Sequence, residues 1–221
     1  MAFEANITLN KIAASVAHTL GSPYDDYLGQ KIKFLAINFR ATLLRRALAK
    51  GDISRPFLTS VCLPVTCVDV ADCCGGKKAL KTALRTVDKV PKPLRTKNIE
   101  TFYYVGNIDK MTFYGETTFT DFINQSHLRF TSQEPRYVYL DDYIYVLNPP
   151  TEQLDVILVI DAWEDPTQIE KFKDCDGKQC YSDDDPFPIG GDMYEALETY
   201  LITTLRSGIP TEDKEIKIND N

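Results

Sequence analysis

The chain has 221 residues, 43% of them hydrophobic and 26% charged, with 32 Asp and Glu against 25 Lys and Arg. That is the composition of a globular protein, long enough for one domain or two small ones. The net charge of −7 argues against a broad nucleic-acid-binding face, and no apolar run nears the roughly 20 residues of a membrane span.

The first residues, MAFEANITLNK, show no basic stretch followed by an apolar core, so no secretion signal is read and the six cysteines are expected to be reduced. Thr8 is placed to cap a first helix whose stripe is Leu9, Ile12, Ala13, Val16, Ala17 and Leu20, with Gly21 as its stop. His18 lies on this helix and reads as a surface residue, because no second ligand sits one turn away. Ser22-Pro23 is expected to start a long second helix that ends at Gly51. It carries two apolar rows. One is Leu28, Ile32, Leu35, Phe39 and Leu43; the other is Phe34, Ile37, Ala41, Leu44 and Leu48. Two rows imply two packing neighbours. Arg40, Arg45, Arg46 and Lys50 read as a solvated cationic face in preference to a phosphate-binding stripe.

From Arg55 the pattern becomes strand-like. Residues 57–68 are rich in β-branched side chains but contain Pro64, which suggests an edge strand or a loop crossing a sheet. Cys73-Cys74-Gly75-Gly76 reads as a turn, and 77–85 as a short helix or basic loop. Prolines 91 and 93 hold 90–94 extended. A strand is predicted over 102–105, ending at Gly106-Asn107, and a helical turn over 117–124. The clearest hairpin is 137–147, where YVYL and YIYV flank Asp141-Asp142. LDVILVIDAW (154–163) reads as a strong strand, followed by a polar loop over 171–185. A last helix over 186–208 is written with both ends. Asp192 and Glu195 suit a capping box, Met193, Leu197, Tyr200, Leu201, Thr204 and Leu205 form the stripe, and Gly208 is the stop.

The order helix, helix, strands, helix predicts an α+β fold. The two N-terminal helices and the C-terminal one form a bundle (1–54 and 186–208). A mostly antiparallel β domain (55–185) is inserted, and 209–221 is an extended tail. In that tail Glu215-Ile216-Lys217-Ile218 alternates as a strand does, so Ile216 and Ile218 are expected to anchor a strand added to a neighbour's sheet edge, and Ile209 is a further candidate interface residue. Phe187, Tyr143 and Tyr145 complete the candidate interface set.

No Walker-type loop, GxGxxG, GxSxG or HExxH is present, and neither His18 nor His127 has a recognisable dyad partner, so no catalytic residues are assigned. Cys62, Cys67, Cys73 and Cys74 cluster, and Cys175 and Cys180 bracket a glycine-containing loop. Four thiolates would suffice for zinc, but intervals of four and five residues are not the usual two. The favoured reading has no metal and no cofactor.

Three places carry a resemblance: the N-terminal helix pair, the strand ending in Asp161-Ala162-Trp163-Glu164-Asp165-Pro166, and Phe187-Pro188-Ile189 before the last helix. In this layout the chain resembles the head-to-tail connector (adaptor, or ring) proteins of tailed bacteriophages, podovirus-type and crAss-like. The resemblance implies a non-enzymatic virion protein. Identical copies, usually twelve, would form a closed ring between the portal protein and further tail or ring proteins. Genomic DNA would pass through the lumen without specific binding, and no membrane is involved. The alternatives are a cytosolic protein-binding module with a tyrosine-rich sheet, or a zinc- or thiol-dependent enzyme.

Overall fold

The structure, a computed structural model, describes residues 7–50, 57–69, 82–95, 102–124, 134–149 and 154–208. The predicted features at Gly51, Cys73, Cys74, 77–81, His127 and the tail from Ile209 lie outside them.

Three helices share one core. In α1 (Leu9–Thr19) the extended Thr8 takes the Lys11 N–H on its hydroxyl at 3.2 Å, and Gly21 ends the chain's turn at φ 77°. A left-handed stop of this kind suits glycine, which has no Cβ to clash. Helix α2 (Asp26–Ala49) starts later than Pro23, because Asp25 supplies the acceptor that the first turn needs, taking the Leu28 N–H at 3.0 Å. Helix α4 (Gly191–Gly208) begins one residue before the expected cap, so Asp192 sits in the first turn, where its charge suits the dipole. Leu9, Ile12, Val16, Ile32, Leu197 and Leu201 are fully buried in one cluster. Phe39 stacks on Tyr200 with ring centroids 3.8 Å apart. The second apolar row of α2 is only partly realised. Leu44 and Leu48 are buried, but Phe34 is 67% exposed.

Seven strands follow among the described residues: β1 (Thr59–Asp69), β2 (Thr82–Thr86), β3 (Tyr104–Gly106), β4 (Gly115–Glu116), β5 (Arg136–Leu140), β6 (Tyr143–Leu147) and β7 (Val156–Asp161), with the short helix α3 (Phe119–Asn124) after β4. Their order is β3-β7-β1-β2-β6-β5-β4. Every pairing is antiparallel except β4 with β5. The fold is thus α+β with a mostly antiparallel sheet.

The two ends of that order meet. Tyr114 donates its N–H to Val105 in β3 at 2.8 Å, while Gly115 donates to Pro135 beside β5 at 3.2 Å. Successive N–H groups of an extended chain point to opposite sides, so 113–116 serves both neighbours and the sheet curls into a closed wall. The approach is tight: a Cβ on Gly106 would strike the Thr112 carbonyl oxygen and the Tyr104 ring. Closure removes most unpaired strand edge. The interior is filled by side chains, among them Val61, Leu63, Tyr137, Ile144, Val159 and Trp163.

Pro64 does not make β1 an edge strand. Residues 59–64 pair with β7 and 65–69 with β2, so Pro64 stands where the strand changes partner. A residue without an N–H is tolerated there because the Val65 N–H continues the ladder, to Asp155 at 2.9 Å. Residues 82–85, part of the 77–85 stretch expected as a short helix or basic loop, belong to β2, which is held on both sides by β1 and β6. The 137–147 hairpin stands as predicted, with φ of 52° and 67° at Asp141 and Asp142. The loop over 171–185 is more structured than its polarity suggests. It lies along β1 through Cys62 N–H to Lys173 at 3.1 Å and buries Phe172 and Tyr181.

Candidate assembly surfaces and the Arg40 junction

The three segments that carried the resemblance meet at one residue. Arg40 of α2 is 1% exposed. Its Nε donates to the Pro188 carbonyl at 2.6 Å, and its Nη1 donates to the Trp163 carbonyl at 2.9 Å. Its guanidinium lies 5.7 Å from the centre of the Phe187 ring. This overturns the reading of Arg40 as part of a solvated face. Burial lowers its pKa to about 10, so it remains charged at neutral pH. A buried cation needs its donors satisfied, and here backbone carbonyls do it. Helix α2, the end of β7 and the approach to α4 are therefore tied at one point. The signal was present in the spacing: Arg40 is four residues from Ala36 and from Leu44, both buried, and so shares their face.

Around this tie, each residue of DAWEDP has a task. Asp161 is buried, and burial pushes its carboxyl up to about 8 against hydrogen bonds from the Ala162 and Tyr103 backbone. Ala162 packs with Ala41, Leu44 and Leu48 of α2. Trp163, 1% exposed, fills the sheet interior beside Phe102. Glu164 pairs with Arg45. Asp165 caps a 3₁₀ turn (Pro166–Ile169) by accepting the Thr167 N–H at 2.9 Å, with Pro166 in the first helical position.

Other expected site residues are placed differently. Phe187 is buried in the helical core, and Tyr145 is buried with Val138 and Leu147 on the sheet face opposite the filled interior, so both are committed within their own chain. Tyr143 is half-buried under Arg85, whose guanidinium stands 4.8 Å from its ring centre. Ile209, Ile216 and Ile218 lie outside the described residues. Cys62 and Cys175 are joined as a disulfide with Cα atoms 5.3 Å apart, which corrects the expectation of six reduced thiols and removes both sulfurs from the four-thiolate alternative. Cys67 is exposed. Cys180 is half-buried, and burial pushes its thiol up to about 11. His18 is exposed.

Among the described residues, two groups of large apolar side chains face solvent, and no local pattern in the sequence marks either as a surface. At the start of α2 stand Tyr24, 96% exposed, Tyr27 and Phe34. On the 103–113 hairpin stand Tyr103, Ile108, Met111, 87% exposed, and Phe113. Exposed apolar groups of this size mark contact surfaces.

A groove lies beside the hairpin turn. Its larger part, about 720 Å³, is lined by Lys89, Lys92, Lys171, Asp142 and Glu170, with the buried Val90 and Pro91 behind them. An adjoining part of about 210 Å³ shares Lys92 and Asp142 and adds Arg45, Arg95, Tyr139 and Glu164. Its floor is stiff. Val90, Leu94 and Glu164 donate N–H groups to Asp142, Ala162 and Lys92 carbonyls at 2.7, 2.8 and 3.0 Å, and Pro91 and Pro93 lock the backbone between them.

The described residues combine a filled core with large apolar side chains turned to solvent. The family model described as phage tail ring protein 2 matches residues 11–221, and the chain belongs to that family. It is therefore a phage structural protein of ring type. No curated protein matches the chain. No helix among the described residues is long and apolar enough to cross a membrane.

Proposed function

We propose that this protein is the head-to-tail connector of its virion, a ring of identical copies that joins the portal protein to further tail or ring proteins and surrounds the DNA channel. The observation that carries the reading is the family match over nearly the whole chain. The mechanism is geometric. Each copy presents two different surfaces, and repetition closes the ring. Ile209, Ile216, Ile218 and Tyr143 are contact residues in this reading, twelve is the copy number, and the role is non-catalytic. The acidic balance of the chain lets DNA slide, because counterion release rewards only Lys and Arg contacts. The Arg40 tie supports the reading, since a ring under internal DNA pressure needs its helical and β parts to move as one. Electron microscopy of the purified protein, alone and mixed with its portal, tests it. Closed rings that stack on the portal are expected. Particles that stay monomeric in both samples overturn it.

A further inference from the structure

The tail residues 209–221 read IPTEDKEIKINDN, with Glu212, Asp213, Glu215 and Asp220 against Lys214 and Lys217. From the α4 terminus at Gly208 this length of chain spans about 45 Å when extended. The sequence alone suggested strand addition to a neighbour's sheet. The sheet closes on itself, however, and offers only short stretches of edge among the described residues. The groove offers the complementary surface. It sets five cations against three carboxylates in a chain of net charge −7. Arg45 is paired with Glu164, and Lys89 with Asp142 at 3.5 Å, whereas Lys92 and Lys171 form no ion pair among the described residues. Both are exposed, and Lys92 is presented by the stiff 90–94 segment.

We infer that this groove receives the 209–221 segment of a neighbouring copy, with Lys92 and Lys171 pairing to Glu212, Asp213 or Glu215. The inference rests on the ring reading for the identity of the occupant. A nucleic-acid strand fits the groove less well. Its uniform row of phosphates would meet Asp142, Glu164 and Glu170 as well as the lysines, whereas a peptide with spaced carboxylates avoids them. The contact supplies register and orientation to the ring and is weakened by salt.

The experiment uses full-length protein. Unlabelled and ¹⁵N-labelled copies are mixed and coupled with a carbodiimide, which joins carboxylates to nearby lysines without a spacer, and the linked peptides are mapped by mass spectrometry. Links from Lys92 or Lys171 to Glu212, Asp213 or Glu215 that mix labels are expected. The double variant Lys92→Glu with Lys171→Glu should retain its melting temperature, since both sites are exposed, and lose tail-mediated association. Adding Glu212→Lys and Asp213→Lys to that variant should restore it. Links confined to one label, links of the tail to other surfaces, or a variant that associates like the parent each overturn the inference. Rings seen by microscopy while these links are absent condemn only the groove contact and leave the ring reading intact.

Discussion

Arg40 illustrates how a single side chain decides the relation between two layers. Its two hydrogen bonds go to carbonyls of residues 163 and 188, which are far apart in the chain. Arg40→Met keeps most of the bulk and removes the donors. It should cost about 1.5–3 kcal/mol for each lost charged hydrogen bond, read as a lower urea midpoint. A midpoint equal to the parent's would show that the tie contributes nothing. Asp161 acts in the opposite sense. Its Oδ2 has no hydrogen-bond partner among the described residues, and burial raises its pKa from the ordinary 3.8 to about 8. A carboxyl raised in the folded state binds its proton more tightly there. Its contribution is therefore fully present below about pH 4 and is lost as pH rises to about 8 and above. Asp161→Asn should leave stability near pH 4 almost unchanged and raise it at pH 9 by roughly 1–3 kcal/mol. Parallel pH profiles for the two proteins would refute this.

At the scale of elements, α4 is the clearest test of docking. Leu201 is fully buried in the cluster that α1, α2 and α4 build together. Leu201→Ala should cost about 2–5 kcal/mol; a loss below about half a kcal/mol, as at exposed sites, would mean the helix does not dock. The closed sheet makes a related point. The contact between 113–114 and β3 depends on Gly106, where any side chain would collide with the facing backbone. Strand 59–69 shows why a proline rule that treats one strand as having one partner misread it. The strand has two, and Pro64 marks the change.

For the whole molecule, the balance of charge sets the affinity for nucleic acid. The chain carries 32 acidic against 25 basic residues, and several of the latter line the groove. Plain duplex DNA at physiological salt should therefore bind more weakly than the roughly 10⁻⁴–10⁻⁶ M of ordinary non-specific binders. Micromolar binding with a steep salt dependence in a fluorescence titration would contradict it.

Local pattern alone determined much of this protein. Thr8, the α2 row from Leu28 to Leu43, the Leu197–Leu201–Leu205 stripe and the Asp141-Asp142 turn were all legible, because capping, helical period and turn geometry act within a few residues. The α+β order followed from those elements, and the likeness to ring proteins rested on the N-terminal helix pair, residues 161–166 and Phe187-Pro188-Ile189. What the tertiary structure decided is long-range. The closing of β3 onto 113–116, the change of partner at Pro64 and the Cys62–Cys175 bond join residues that no local periodicity relates. The burial of Arg40 belongs with them. An arginine in a helix is exposed by default, and only the arrival of two carbonyls from residues 163 and 188 makes its interior position stable.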